Sequence, residues 1–475
     1  MPHAMIQDRR ADSRDADDDT KRMSVGNAEA DYILGGGFPA NSINIIMGHP
    51  GSGKTIFAEQ LIFHNAADDR PILYFTTLSE PLAKVVRYLQ GFRFFDEMKL
   101  GTQVIYEDVG PQLAADGADA LIPLLREAIK TLSPKVIVID SFKAVHDLAP
   151  EPAERRRMVY EMTALLTAYG TTAFLLGEYT EDDILRYPEF AVADGIVELS
   201  RRRLGNRDER YFRVYKLRGS RYLEGAHAFR ISDSGLVIYP RLVSPRMPEG
   251  YEPASERIST GVAGLDEMLD GGLWRGTTTL LAGPSGAGKT TIGLQFALEG
   301  ARRGEPSLYM NFQENPTQLM RTIRGLGVDL EQAQAQGLDL VYASPVELQI
   351  DSIIVDMFRR IQQRGVRRLV IDAVGDLASA ATDPQRLHDY LYALVQHFAV
   401  STITSVLNIE TMGNAISGNG MQNAMSYLSD NVLLLTVEGE ERTRRKLRVL
   451  KTRGSAHDTR VREVEISAAG LCVLG

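Results

Sequence analysis

The sequence predicts an α/β protein of two tandem phosphate-loop domains, each with a mainly parallel central sheet. Three observations carry this expectation. Two glycine-rich loops, GHPGSGKT from Gly48 to Thr55 and GPSGAGKT from Gly283 to Thr290, place their lysines 235 residues apart (289 − 54). Other landmarks recur at the same spacing. Short apolar runs alternate with helical stretches through both halves, the pattern of buried parallel strands in an α/β domain.

At 475 residues the chain is too long for one ordinary core. The first 22 residues, rich in Asp, Arg, Ser and Ala, hold almost no large apolar side chain, so 1–22 is expected to be a disordered arm. Domain 1 is expected over 23–240 and domain 2 over 258–475. The stretch between them, 241–257, contains Pro245, Pro248 and Pro253 and reads as a linker.

Each domain opens with a glycine turn, an apolar strand and then the loop: GGGFPANSINIIMGHPGSGKT in the first, GGLWRGTTTLLAGPSGAGKT in the second. Apolar runs follow in matching order, ILYF, KVIVID and TTAFLLGE against SLYMNF, RRLVID and STITSVL. ADGIVEL (Ala193–Leu199) then parallels SDNVLLL (Ser429–Leu435), and YKLRGS (Tyr215–Ser220) parallels LKTRGS (Leu450–Ser455).

Composition excludes several classes. No stretch approaches the roughly 20 apolar residues of a membrane span, and no apolar segment follows a basic start, so the cytoplasm is the expected location. The single cysteine, Cys472, excludes an internal disulfide and a Cys-cluster metal site. A net charge of −9 and a pI near 5.5 argue against extended, non-specific nucleic-acid binding.

The GxxxxGK[ST] pattern implies a bound nucleotide, which the family resemblance given below makes ATP. Glycines free consecutive backbone N–H groups to wrap phosphates, the lysine adds a point charge, the hydroxyl ligates Mg²⁺, and the following helix contributes its dipole. The candidate ATP-binding residues of domain 1 are Gly48, Gly51, Ser52, Gly53, Lys54 and Thr55. Those of domain 2 are Gly283, Ser285, Gly286, Ala287, Gly288, Lys289, Thr290 and Thr291. A carboxylate closing an apolar strand is the expected second Mg²⁺ position; Asp140 and Asp372 are placed so, giving metal sets Thr55 with Asp140 and Thr290 with Asp372.

Hydrolysis also needs a group that orients or deprotonates the attacking water, usually at the end of the strand after the loop helix. Domain 2 has Gln313 and Glu314 there, 24 and 25 residues after Lys289. Domain 1 has Leu78 and Ser79, and Glu80 comes one residue too late, which side-chain alternation would turn away from the site unless a strand-end turn brings it back; the catalytic candidates are Glu314, Gln313 and Glu80. The repeated K-x-R-G-S places Lys216 and Arg218, and Lys451 and Arg453, on a late strand from which they can reach a neighbouring subunit's γ-phosphate.

With these landmarks the chain resembles the KaiC family of double-domain RecA-like ATPases and autokinases, over residues 24–470. The resemblance rests on GLDEMLDGGL (Gly264–Leu273), the two loops, and the string from Lys451 to His457 and Asp458. It implies a homo-hexamer of two stacked tiers with ATP between subunits, trans contacts from the two K-x-R pairs, and KaiB-like or other signalling partners. It also implies phosphoacceptors at Ser426 and Tyr427, where the family has adjacent Ser and Thr. The family's Glu-Glu pairs are replaced by Leu78-Ser79 and Gln313-Glu314, and no KaiA is expected because the chain stops at Gly475. Two other readings stay open: a RecA-type DNA-dependent ATPase using the basic runs at Arg155–Arg157, Arg201–Arg203 and Arg442–Arg448, or a non-catalytic scaffold assembled by ATP.

Overall fold

Contacts in the computed structural model group the chain into two units that divide between Arg241 and Leu242. It describes residues 22–77, 82–149, 151–204, 207–344, 349–381, 384–411, 427–439 and 443–474.

Domain 1 is built on β1 (Ile43–Met47), β2 (Ile72–Thr76), β3 (Val104–Asp108), β4 (Val136–Asp140), β5 (Thr172–Gly177), β6 (Gly195–Leu204), β7 (Arg207–Leu217), β8 (Ala226–Ser232) and β9 (Gly235–Tyr239). Their spatial order is β3-β2-β4-β5-β1-β6-β7-β8-β9. The pairings from β3 to β6 are parallel, and β6 to β9 form an antiparallel meander. Domain 2 repeats the scheme with β10 (Thr278–Gly283), β11 (Ser307–Asn311), β12 (Leu338–Tyr342), β13 (Arg368–Asp372), β14 (Thr404–Glu410), β15 (Asn431–Glu438), β16 (Arg444–Thr452), β17 (Arg462–Ser467) and β18 (Gly470–Val473). The order there is β12-β11-β13-β14-β10-β15-β16-β17-β18, the same topology.

Side-chain alternation feeds a core on each face of each sheet. In domain 1, Ile45, Leu73, Ile137 and Leu175 pack with the apolar stripes of two helices, Leu121–Leu132 and Pro152–Ala168. In domain 2, Leu280, Leu308, Leu369 and Leu407 pack with helices Ile350–Arg364 and Pro384–Val400. The opposite face of each sheet receives the helix that follows the phosphate loop, α1 (Lys54–Asn65) or α2 (Lys289–Arg302). In domain 2 that face presents Leu281, Tyr309, Val370 and Val406 to Ile292, Leu294 and Phe296 of α2.

Two boundaries differ from the sequence reading. Arg22, expected in the arm, pairs with Pro39 in a two-stranded ribbon that the buried Met23 anchors. The segment read as a linker is partly bound to domain 2: Leu242 lies in its core, His397 bonds through Nε2 to the Val243 carbonyl at 2.8 Å, and the Tyr251 hydroxyl donates to the Ala399 carbonyl. Burying Leu242 outweighs the freedom of an untethered chain there.

Domain 2 also carries a buried ion cluster. Arg368, with no exposed surface, donates from Nε to Glu305 (2.6 Å) and from Nη1 to the Ser259 and Phe296 carbonyls (2.8 and 3.2 Å). Glu305 also accepts from Arg275, which pairs with Glu256. Domain 1 has Val136 and Arg70 in the places of Arg368 and Glu305, and Asn65 supplies the bond to the Ser24 carbonyl instead. Removing one partner of a buried pair strands the other charge. Glu305→Ala is therefore expected to destabilise domain 2 by about 3–5 kcal/mol, read by urea denaturation, whereas Arg70→Ala in domain 1 should cost far less.

Candidate functional site

Both phosphate loops leave the C-terminal end of the central strand, β1 or β10, and close on a glycine in the left-handed region, Gly53 (φ 107°) or Gly288 (φ 108°). Only glycine adopts that conformation cheaply. Gly48 is equally constrained by space, because a Cβ there would meet the Leu199 carbonyl at 2.0 Å. α1 and α2 begin at the loop lysines with no side-chain cap, leaving first-turn N–H groups directed at the loop. Ser285 and Gly286 are exposed on their loop, Ala287 is buried where domain 1 has Ser52, and Thr291 follows on the first turn of α2. The buried Ser52 Oγ has no hydrogen-bond partner among the described residues.

The lysines fold back over their loops. Lys54 Nζ donates to the carbonyls of Gly48 (2.8 Å) and His49 (3.0 Å), and Lys289 Nζ to those of Gly283 (2.8 Å) and Pro284 (2.9 Å). Burial lowers the pKa of both ammonium groups, opposed by Glu178 and Asp140 around Lys54 and by Glu410 and Asp372 around Lys289. The next residues meet the strand-end aspartates: Thr55 Oγ1 donates to Asp140 at 2.9 Å and Thr290 Oγ1 to Asp372 at 2.8 Å. Each aspartate also accepts from a buried tyrosine, Tyr74 or Tyr309. An uncapped helix terminus, a folded-back lysine and a hydroxyl–carboxylate pair of hard oxygen donors fit a Mg²⁺-bound nucleotide phosphate.

Glu314 follows a turn that Asn311 shapes. Asn311 Oδ1 accepts from the backbone N–H groups of Gln313 and Glu314, both at 3.1 Å, and its Nδ2 donates to the Glu314 carbonyl. Sequence reading missed this asparagine, although Asn at a strand end is a turn signal. Glu314 is half-buried and its Oε2 has no hydrogen-bond partner among the described residues. Desolvation, then the Asp372 charge, raise its pKa. Gln313 is exposed and hydrogen-bonds Asp376. Leu78, Ser79 and Glu80 lie outside the described residues.

The K-x-R pairs run towards the other edge of the sheet. Lys216 pairs with Ile196 and Lys451 with Val432, level with Ile45 and Leu280 midway along β1 and β10. Three residues, roughly 10 Å of strand, separate each lysine from its own loop, and Arg218 and Arg453 stand two residues farther away. One extra residue, Tyr215 or Leu450, makes a bulge next to each lysine. Arg218 pairs with Asp194 (3.0 Å) and keeps 61% of its side chain exposed; Lys451 donates to the Ser429 carbonyl (2.7 Å) and Arg453 to that of Tyr427 (2.6 Å). Tyr427 is 77% exposed, and Ser426 lies outside the described residues.

Each basic run has an arginine engaged within the chain. Arg201 pairs with Asp208, Arg445 Nε donates to the Gly286 carbonyl of its own phosphate loop, and Arg155 donates to the Ala149 carbonyl. Two further residues escaped the sequence reading: Glu178 and Glu410, each following or closing the strand between the aspartate strand and the loop strand. Their separation of 232 residues (410 − 178) equals that of Asp140 and Asp372 (372 − 140), a signal the sequence did contain.

Fold and site together define a tandem P-loop nucleoside triphosphatase of RecA-like architecture. The chain belongs to the KaiC ATPase family, whose model matches residues 24–243 and again 258–475. It is 28% identical to the circadian clock oscillator protein KaiC of Rippkaea orientalis over 93% of this chain and 86% of that protein. The corresponding figures are 28%, 93% and 86% for KaiC of Synechococcus elongatus, and 27%, 96% and 92% for the circadian clock protein KaiC3 of Synechocystis. No helix among the described residues is long and apolar enough to cross a membrane.

The two sites differ beneath the loop. In domain 1 the Tyr106 hydroxyl donates to the fully buried Glu59 of α1, and Tyr106 packs on Tyr74, which holds Asp140. Domain 2 has Leu294 and Leu340 in the places of Glu59 and Tyr106. Desolvation pushes the Glu59 carboxyl up to about 8, the Tyr106 bond opposing and the Asp140 charge adding. A raised carboxyl pKa means that the folded state holds a proton the unfolded chain releases, so stability falls as pH rises from about 4.5 towards 8. Urea midpoints should decline across that window, and Glu59→Leu should flatten the decline.

Proposed function

We propose that this chain is an ATPase that assembles through ATP held between copies, phosphorylates itself on domain 2, and signals through the resulting change of state. One observation carries this reading: Arg453 and the backbone of the acceptor segment at Tyr427 are hydrogen-bonded to each other at the sheet edge opposite the domain's own phosphate loop. A hydroxyl and a cation so placed cannot serve their own loop, but can be delivered together to the loop of a neighbouring copy. Such a head-to-tail contact closes into a ring, and a homo-hexamer is the assembly the family resemblance favours.

In domain 2 the chain's residues divide the work. Lys289 and the first-turn N–H groups of α2 hold phosphate oxygens; Thr290 and Asp372 would hold Mg²⁺, which when bound neutralises charge on the β- and γ-phosphoryl oxygens. Glu314, kept basic by burial and by the Asp372 charge, accepts the proton of the attacking water or acceptor hydroxyl. Lys451 and Arg453 from the neighbour stabilise negative charge on the transferring group. Ser426 is the proposed principal acceptor and Tyr427 the second. Thr55, Asp140, Lys216 and Arg218 would repeat the binding functions in domain 1, and a KaiB-like or other signalling protein would read the assembled state.

Lys289→Ala should abolish incorporation of radiolabel from γ-labelled ATP, and Ser426→Ala should remove most of it, with phosphopeptide mapping as the check. Full incorporation in Ser426→Ala would refute the acceptor assignment. The trans contact has its own test: Lys289→Ala and Arg453→Ala chains should each fail to incorporate label on domain 2, but a 1:1 mixture assembled with ATP should recover incorporation at about a quarter of its interfaces. No recovery in assembled mixtures would refute it.

A further inference from the structure

We propose that Glu178 is the catalytic base of domain 1, standing in for the carboxylate missing at Leu78 and Ser79. The proposal rests on the ATPase reading above and extends it to the tier whose strand-end residues are unlike those of domain 2.

Three placements support it. First, β5 pairs in parallel with β1, setting Gly177 beside Met47, so Glu178 emerges beside Gly48, the first residue of the phosphate loop. In domain 2 the same register sets Glu410 directly beside Gly283. Second, alternation along β5 sends Ala173 and Leu175 into the core opposite α1, and therefore Phe174, Leu176 and Glu178 towards the α1 face. Asp140, on β4, faces the same way, as its bond to Thr55 of α1 requires. Third, Glu178 is exposed at the strand end, where a water can reach it. Of the two carboxylates acting on Lys54, Glu178 is the stronger, and Glu410 likewise exceeds Asp372 at Lys289. A carboxylate beside the lysine that grips the terminal phosphates is where an attacking water has to be held.

In the step assigned to it, the water oxygen bonds to the γ-phosphorus as the bond from that phosphorus to the β–γ bridging oxygen breaks. ADP departs with the electron pair, the water's proton passes to the Glu178 carboxylate and then to solvent, and phosphate is released. Domain 2 keeps both carboxylates, Glu314 and Glu410, so this dependence is expected only in domain 1.

The test uses the full chain with Lys289→Ala, which silences domain 2. Adding Glu178→Gln should lower kcat at least ~100-fold while binding of a fluorescent ATP analogue changes less than about 3-fold. Formate should restore part of the rate to Glu178→Ala, a rescue that a structural role would not permit. The proposal is overturned by a Glu178→Gln rate within about 3-fold of the parent, by loss of analogue binding in step with kcat, or by the same catalytic loss appearing in Glu80→Gln instead. It is also overturned if the Lys289→Ala parent shows no turnover; hydrolysis by the Lys54→Ala chain would then leave the ATPase reading of domain 2 standing.

Discussion

The polarity of the parallel strands is the constraint on which the rest of the structure depends. Because the strands from β3 to β6 point one way, their C-terminal ends gather Gly48, Asp140 and Glu178 at one edge of the sheet. The antiparallel return of β7 then carries Lys216 and Arg218 back towards the other edge. The chain thus separates the groups that hold phosphate from the cations best suited to stabilise its transfer. In the proposed function, a neighbouring copy closes that gap.

Within this shared frame the two domains have diverged in how they treat buried charge. Domain 2 neutralises Arg368 against Glu305 inside its sheet base, while its phosphate helix is apolar where it meets the sheet. Domain 1 has no charge at the Arg368 position and instead buries Glu59 under the phosphate loop, linked through Tyr106 and Tyr74 to Asp140. The same fold therefore buries an ionisable group close to the phosphate loop in one domain and far from it in the other. Their phosphate loops share left-handed glycines at matching positions, Gly51 with Gly286 and Gly53 with Gly288, yet the residues beneath and beside them differ.

Much of this was legible in the sequence. The glycine loops, their lysines and threonines, Asp140 and Asp372 are local patterns on contiguous backbone, and the structure brings each threonine to its aspartate. The K-x-R repeat was visible as a spacing, but not the edge it occupies. Asn311 was overlooked because its role lies in turning the chain for Glu314, and Glu178 because nothing local marks a carboxylate after an apolar run as facing a loop more than a hundred residues earlier. The segment after Arg241 read as a tether on its prolines, whereas Leu242 finds an apolar site on domain 2.

By itself, the sequence determined the duplication, the α/β class and the phosphate-gripping chemistry, since these need only periodicity and residues adjacent along the chain. Tertiary structure alone decided which carboxylates share a face with the phosphate helix, which ionisable groups lose their water, and which cations stand beyond reach of their own loop. Those follow from strand order and side-chain parity, and neither is written in any short stretch of residues.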